Sequence, residues 1–341
     1  MTRGIFLKRV LSALITIFLA IVITFVLLRL TPGNAIDQWA RDYAIEYNIT
    51  IEEAYARVAN MINYDPNEPI LQQFTRYVGN LLQGNLGYSM VHQGLRVNDI
   101  IAKALPWTLF VSSIALVVSF IIGVYLGVKM AYNRKSWLDP VISIYSVVTN
   151  AIPDFILAII LLIVFSYGLG WFPINGAYDF YLAPGFNLPF IGSIFYYGAL
   201  PILTYVLTLI GQWALMMKGS AVSILGDDYI EAAKARGLPE KLIVSKYVRK
   251  NAIIPLVTQL AVFLGGMLGG AILVENLFQY PGIGYFMAEA TKQRDYIEAT
   301  KQRDYIVMQG ILLFIAITMI IANFIADLLY SKLDPRIRIE E

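Results

Sequence analysis

The sequence predicts an all-α integral membrane protein with six transmembrane helices, and three observations support this fold class. Hydrophobic residues occupy 58% of the 341 positions and charged residues only 15%, whereas a soluble domain carries about 25% charged residues. Six apolar stretches approach the ~20 residues that a bilayer span requires. Lysine and arginine concentrate in alternate loops between these stretches, which is typical of cytoplasmic loops.

The first apolar stretch is too long for the apolar region of a signal peptide and lacks a following small-residue cleavage site, so we interpret it as a retained anchor. The third stretch is long and is interrupted at Pro153. In order along the chain, the stretches cover residues 10–28, 107–130, 141–169, 198–217, 253–274 and 307–326.

The basic residues predict the orientation of these spans. They cluster at the N-terminus, in the second-to-third and fourth-to-fifth loops and in the C-terminal tail, and none lies between spans three and four. We therefore expect a multi-pass protein with both termini in the cytoplasm. One segment departs from the rule, because the loop between spans five and six contains Lys292, Arg294, Lys301 and Arg303.

This topology divides the chain into four regions. Residues 1–30 form the N-terminus and the first span, and residues 31–105 form an extracytoplasmic insert. Residues 106–330 form a core of five spans that includes a cytoplasmic loop at 218–252, and residues 331–341 form a cytoplasmic tail.

The insert is predicted to be helical and to lie as a small cap on the membrane surface. Thr50 and Glu53 have the spacing of a capping box at a helix start. Gly84 and Gly87 mark a turn. One helical face is formed by Leu71, Phe74, Val78 and Leu81, and an amphipathic lead into span two is formed by Val97, Ile100, Ile101 and Ala104.

The loop at 218–252 is predicted to form two short helices. The first contains several small residues and ends at Gly237, and the second begins at Pro239, which suits the first position of a helix. A face of small residues allows a backbone to approach a partner closely. The alternative interpretation is an ordinary amphipathic hairpin on the surface.

Catalytic motifs are absent from the sequence. No phosphate-binding P-loop occurs, and Gly265-Gly266 and Gly269-Gly270 lie inside an apolar span, where they favour close helix packing. The chain has no cysteine and a single histidine, which excludes disulfides and a multi-histidine zinc site. We expect no metal site and no cofactor in this chain, and the net charge of +2 gives no indication of nucleic-acid binding.

Asp154 is the one ionisable residue deep within a predicted span. A carboxylate facing lipid there is costly, so its side chain should face protein or a water-filled path. Two roles stay open: it caps a helix that restarts at Phe155, or it lines a translocation path. A single carboxylate argues against ion-coupled transport, which usually needs several intramembrane ligands.

Residues 289–297 read EATKQRDYI, and residues 298–306 repeat them without a change. Nine identical residues in tandem do not arise by chance. The period is far shorter than that of a solenoid repeat. We expect the duplication to extend a loop and not a continuous helix.

Several short motifs, taken together, resemble a known family. The fourth-to-fifth loop contains DYIEAAKARG at 228–237 and RKNAIIP at 249–255, which are similar to the EAA loop of ABC importer permeases. In chain order the other motifs are RLTPG at 29–33, GNLGYS at 84–89, ENLF at 275–278, PGIG at 281–284 and LDPRIR at 333–338. The combination resembles the first membrane subunit of the dipeptide/oligopeptide permease family.

Three features depart from that family. The second place of GNLGYS is usually Asp, and the broad EAA pattern expects I-x-L-P where Tyr247, Arg249 and Lys250 stand. The family has one Asp-Tyr pair before its last span, whereas this chain has two because of the duplication.

The resemblance implies the type I ABC importer permease fold in a prokaryotic cell membrane. It further implies a path for di- or oligopeptides, with oligosaccharides or nickel complexes as alternative cargo. The implied partners are a second homologous permease subunit in a heterodimer, two cytoplasmic ATPase subunits that bind ATP, and an extracytoplasmic binding protein. The implied ATPase-coupling residues are Asp228, Tyr229, Glu231, Ala232, Ala233, Ala235 and Gly237.

Two rival functions remain. A secondary transporter or channel would move its substrate without ATP, and a membrane scaffold would move nothing. The scarcity of charge within the spans argues against the first.

Overall fold

The computed structural model describes residues 3–30, 35–62, 68–89, 95–133, 136–270, 272–292 and 304–333. Helices dominate this part of the chain. The N-terminal helices are α1 (Arg3–Leu30), α2 (Ala35–Tyr47), α3 (Ile51–Ile62), α4 (Ile70–Leu82), α5 (Val97–Tyr132), α6 (Leu138–Ala151) and α7 (Asp154–Leu161), which continues as π-helix through Leu162–Gly168.

The C-terminal half begins with one long helix and continues in shorter ones. These are α8 (Leu188–Leu225), α9 (Asp228–Ala235), α10 (Glu240–Leu242), a π-helical stretch (Ile243–Val248), α11 (Arg249–Ala252), α12 (Ile254–Gly270), α13 (Ile272–Leu277), α14 (Ile283–Thr291) and α15 (Tyr305–Leu333).

Four single helices within the described ranges, α1, α5, α8 and α15, are long and apolar enough to cross a bilayer. Two bent helix pairs meet the same criterion. The run Leu138–Ala151 meets Asp154–Gly168 at 100°, and Glu240–Ala252 meets Ile254–Met267 at 42°. If each bent pair is one span, the total is the predicted six.

The first bent pair follows α8 from one end to the other, as a single broken span does. The first arm contacts α8 through Asp139 and Lys218 and through Ser146 and Gly211. The loop after the second arm contacts the far end of α8, where the Tyr196 hydroxyl donates to the Trp171 carbonyl. A segment that returned to its starting side would end near Lys218 again, so these contacts favour a single span, and the predicted interruption at Pro153 is confirmed.

Span two extends well beyond its predicted bounds. The amphipathic lead of residues 97–104 is part of the same helix, α5, and its apolar residues are buried. Pro106 lies inside α5. The predicted boundary between insert and core at 105/106 therefore falls within one continuous helix.

The helices α5 and α8 approach each other closely because two glycines of α5 lie at their contact. A Cβ atom on Gly123 would lie 2.3 Å from Cβ of Trp213, and one on Gly127 would lie 2.4 Å from the carbonyl oxygen of Ala214. Trp213 is fully buried there. Small residues permit this backbone approach, so α5 and α8 form a tightly packed pair.

The helices α12 and α15 are packed in the same way. A Cβ atom on Gly265 would lie 2.5 Å from Cβ of Ala322, and one on Gly269 would lie 2.7 Å from Cγ2 of Ile315. The prediction that these glycines serve helix packing is confirmed for Gly265 and Gly269, whereas a Cβ atom on Gly266 would have no neighbour within 4 Å.

The first span lies at the periphery, against the last span. The Arg9 guanidinium donates to the carbonyl oxygen of Asp327 at 2.7 Å, and the ring centroids of Phe6 and Phe324 are 6.2 Å apart. The start of α1 therefore lies beside the end of α15.

The insert is helical, as predicted, and the predicted start of α3 is confirmed by a hydrogen bond from the Glu53 N–H to Oγ1 of Thr50 at 3.3 Å. Within α4, Leu71 is 72% exposed, while the Phe74 ring lies 5.1 Å from Phe25 and 6.3 Å from Phe18. Those two rings are seven residues apart, about 10 Å along α1. The helix α4 thus packs on the flank of span one, unlike a cap resting only on its end.

Candidate coupling element and translocation site

The helix α9 ends in a tight turn that only glycine adopts readily. Gly237 has φ of +71°, its N–H donates to the Lys234 carbonyl at 2.9 Å, and the Leu238 N–H donates to the Ala233 carbonyl at 3.3 Å. These bonds form a Schellman-type helix end, in which the left-handed residue is usually glycine. No atom lies within 4 Å of a Cβ placed there, so the requirement comes from the backbone conformation, and the predicted turn is confirmed.

The two faces of α9 differ in exposure. Ile230 is fully buried and Ala233 is 4% exposed, and both belong to a hydrophobic cluster that includes Ile243 and Val248. The opposite side is exposed. It presents Asp228, Glu231, Ala232 and Ala235.

The resemblance implies that Ala232 and Ala233 both belong to the coupling element, but Ala233 is buried inside this chain and does not face a partner. Neighbouring residues on a helix are separated by about 100° of rotation, so these two alanines point in different directions. The i, i+3 spacing of Ile230 and Ala233 was the available signal for an inward-facing stripe.

Tyr229 links α9 to the next helix. Its half-buried hydroxyl accepts a hydrogen bond from Nδ2 of Asn251 at 3.2 Å, and the same amide donates to the Tyr247 carbonyl at 2.9 Å. Of the residues implied for coupling, Tyr229 therefore serves the internal structure of the loop. Asn251 was not singled out from the sequence, because nothing in the sequence indicates its partner 22 positions away.

The second predicted short helix is an extension of span five. Pro239 occupies the N-cap position and the helix begins at Glu240, one residue later than predicted. Helical structure continues through Ala252 and bends by 42° into α12. The Ser220 hydroxyl donates to the Ala252 carbonyl at 2.8 Å, which ties this extension to α8.

The loop at 218–252 is therefore anchored on two spans at once. Its hydrophobic cluster combines residues of α9 and of the extension with buried residues of α8 and α12, among them Trp213, Met217, Ala221 and Leu256. Packed side chains therefore connect α9 directly to spans four and five.

Asp154 lies at the break in span three. The helix α7 begins at Asp154 itself, with Pro153 in the N-cap position, so the interpretation of Asp154 as the cap of a helix starting at Phe155 is wrong. The side chain lies beside the Thr208 hydroxyl and is exposed on the surface of this chain. Irregular backbone at membrane depth is tolerated only where protein or water covers it.

Besides α9 and Asp154, the structure contains a buried polar site around Glu275. The sequence analysis did not single out this residue as functional. Its side chain is only 2% exposed. The carboxylate accepts hydrogen bonds from the Thr108 hydroxyl at 2.7 Å, the Gly284 N–H at 2.7 Å and the Tyr285 N–H at 3.3 Å. The ENLF and PGIG motifs contain Glu275 and Gly284, but their spacing does not reveal the contact with Thr108.

The GNLGYS turn contacts the start of the last span. The Ser89 hydroxyl donates to the Asp304 carboxylate, which also accepts from the Val307 N–H at 3.1 Å and so caps α15. A Cβ atom on Gly87 would lie 2.8 Å from Ile306. Asp304 of the second copy therefore ties the GNLGYS turn to the start of α15.

The duplication does not form one continuous helix. The first copy begins within α14, which ends at Thr291, and the second copy ends within α15, which begins at Tyr305. Residues 293–303, which contain Arg294, Lys301 and Arg303 and most of the repeat, lie outside the described residues. So does the tail from residue 334.

Comparison with known proteins identifies the family. Residues 119–339 match the family described as binding-protein-dependent transport system inner membrane component. The chain is 30% identical over 331 residues to the oligopeptide transport system permease protein of Haemophilus influenzae, covering 97% of this chain and 98% of that protein.

Two further relatives are similar over nearly their full length. The chain is 31% identical to the di/tripeptide transport system permease protein of Pseudomonas aeruginosa, with 98% of each chain covered. It is 30% identical to the glutathione transport system permease protein of Pectobacterium atrosepticum, with 98% of each chain covered. This chain belongs to the family of inner membrane components of binding-protein-dependent transport systems, as a multi-pass permease of the ABC importer class.

Proposed function

We propose that this chain is a permease subunit that forms part of the path for peptides in an ATP-driven importer. The observation that carries the proposal is α9, whose exposed Asp228, Glu231, Ala232 and Ala235 lie opposite a buried face packed against spans four and five. Such a helix can receive a mechanical input from a partner and pass it to the membrane core.

The substrate proposal rests on the relatives. Those described above are named for oligopeptides, di- and tripeptides, and glutathione, and all of these compounds contain peptide-type amide bonds. Short peptides are therefore the proposed cargo, and oligosaccharides and nickel complexes are the alternatives that an uptake assay must compare.

The proposed assembly contains a second homologous permease subunit, two cytoplasmic ATPase subunits and an extracytoplasmic binding protein. The sequence has no P-loop of its own, so ATP would be bound by the partners. The Arg9–Asp327 contact supports a common side for both termini, and the basic residues near both ends favour the cytoplasmic side of a prokaryotic membrane.

Asp154 is proposed to line the translocation path. It lies where span three is broken, on a surface that this chain leaves uncovered. A water-filled path between two permease subunits would solvate the carboxylate and provide hydrogen-bond partners for the irregular backbone at that depth. A packed interface with the second subunit is the competing location.

The deciding experiment is uptake by proteoliposomes that contain the complete assembly and binding protein. We expect ATP-dependent accumulation of labelled di- or tripeptides, with no comparable uptake of an oligosaccharide or a nickel complex. Equal uptake without ATP would support a secondary transporter or channel and would overturn the proposal. Absence of any uptake, with intact partner binding, would support a scaffold.

A further inference from the structure

The buried carboxylate of Glu275 connects segments that are far apart in the chain. It accepts hydrogen bonds from Thr108 on α5 and from two backbone N–H groups at the start of α14. Thr108 completes the ring of contacts, since its oxygen accepts from the Ile283 N–H at 2.8 Å. We call this set, formed by Glu275, Thr108 and the N–H groups of residues 283–285, the Glu275 junction.

Gly282 makes the junction sterically possible. A Cβ atom at this position would lie 2.3–2.4 Å from the carboxylate atoms of Glu275. The backbone at Gly282 is extended, with φ of −89° and ψ of −177°, a conformation open to any residue. Glycine is therefore required because the carboxylate occupies the side-chain space.

The junction is the polar part of a larger contact between α5 and α14. Val97, Ile100, Ile101 and Ala104 of α5 are buried in one cluster with Ile283, Met287 and Ala290 of α14 and with Val307 and Ile311 of α15. Apolar packing of this kind resists separation but is poorly directional. The hydrogen bonds of the Glu275 carboxyl group are directional and fix the position and direction of α14 relative to α5.

We propose that Glu275 is a positioning residue that makes the outer hairpin, residues 272–291, move as one body with span two during transport. This inference rests on the proposed function, because it assigns a role within an ATP-driven cycle. Thr108 is the matching residue on span two. Without the junction, movements of span two at the cytoplasmic side would not be passed fully to the outer hairpin.

The first test compares threonine variants in proteoliposomes containing the full assembly. Thr108→Val removes the hydroxyl while keeping the side-chain shape, and Thr108→Ser retains it. The matched control is Thr204→Val, because Thr204 is also fully buried in a span but donates only to the Leu200 carbonyl of its own helix, at 2.9 Å. The measured quantity is peptide taken up per ATP hydrolysed, at matched amounts of assembled complex.

We expect Thr108→Val and Glu275→Gln to lower this ratio by roughly tenfold, in line with the cost of leaving a buried polar group without its hydrogen-bond partner. Thr108→Ser and Thr204→Val should stay within about twofold of wild type, by the same reasoning. A merely structural role would reduce the amount of complex and leave the ratio of the surviving complex unchanged. Wild-type ratios in Thr108→Val and Glu275→Gln would overturn the proposal.

A covalent substitute for the junction provides a second test that does not depend on folding of those variants. The chain has no cysteine, so Thr108→Cys with Ile283→Cys gives one defined thiol pair. Its uptake per ATP is measured before and after a short bifunctional thiol reagent is added, with each single-cysteine variant as control. Restored coupling after cross-linking supports movement as one body, whereas blocked uptake shows that the two elements must separate and overturns it.

The wild-type complex, measured in the same preparation, distinguishes failure of the proposed function from failure of the proposed role of the Glu275 junction. Absence of ATP-driven peptide uptake by wild type contradicts the proposed function. Normal uptake by wild type together with unaltered Thr108→Val and Glu275→Gln contradicts only the role of the Glu275 junction.

Discussion

The backbone N–H of Asp304 donates a hydrogen bond to the carbonyl oxygen of Ala290 at 3.0 Å, across most of the duplicated segment. Ala290 is the second residue of the first copy and Asp304 is the seventh residue of the second. In a chain with one copy these positions would be five residues apart. A separation of five residues is that of the longer hydrogen bond in a Schellman helix end. The Asp304–Ala290 hydrogen bond is therefore one that a chain with a single copy could also form.

Deleting residues 298–306 should therefore preserve membrane insertion and leave uptake within about twofold of wild type, because loop length has a small effect on stability. The same polypeptide results from deleting 289–297, since the copies are identical. Uptake and complex yield are the measurements. Deletion of 283–291, which has the same length but removes α14, is the matched control and should abolish assembly. Loss of assembly in the first deletion would contradict the prediction.

Tryptophan substitutions at two adjacent alanines should separate docking from folding. Ala232→Trp, on the exposed face of α9, should leave the permease folded but prevent ATPase docking and ATP-driven uptake. Ala233→Trp should overpack the cluster around Ile243 and destabilise the chain by about 1–3 kcal/mol or more. Thermal unfolding in detergent and co-purification of the ATPase distinguish the two. Identical behaviour of both variants would contradict the assignment of faces.

A side chain at Gly237 should disturb the end of α9. Gly237→Ala forces a non-glycine residue into the left-handed region, at a cost of about 1–2 kcal/mol. Uptake should fall as the turn loosens, and the spans should still insert. Gly219→Ala is the control, because Gly219 lies within α8 with open space around it and alanine favours helix. Equal uptake by both variants would show that the turn at Gly237 is not needed for coupling.

Removal of the Asp154 charge should change transport more than expression. Asp154→Asn keeps the side-chain size and should alter the rate or selectivity of peptide uptake if the residue lines a water-filled path. Asp99→Asn makes the same change in charge at an exposed position in the first turn of α5 and should have little effect. Unchanged uptake with reduced heterodimer recovery would instead place Asp154 in the subunit interface.

The spans and the turn at Gly237 could be predicted because they depend on local sequence. Apolar run length gives the number of spans, Pro153 marks the break, and the Thr50 capping position gives the start of α3. Run length underestimates α8, which continues through residues 188–225, because the helix begins at its own cap, Asn187, ahead of the predicted span. A proline likewise indicates a break without giving its angle of 100°.

The arrangement of the functional residues was less predictable because it depends on contacts between distant positions. Thr108 and Glu275 are 167 residues apart, and no local sequence pattern around either residue predicts their contact. The small residues Ala232, Ala233 and Ala235 indicate a close approach, but the neighbouring cluster decides which alanine faces inward. The long-range packing of Ile243 and Val248, and not composition, determines that choice.

The tight contact of α5 with α8 has a geometric consequence. From Thr108 to Gly127 the helix α5 spans 19 steps, about 28 Å, and glycine contacts leave no room for sliding against α8. The pair then behaves as a stiff lever with α9 attached near one end and the Glu275 junction near the other. A tilt of about 5° displaces the far end by about 2.5 Å over that length. Under the proposed function, a small rotation that an ATPase drives at α9 would therefore reach the Glu275 junction as an atomic-scale displacement.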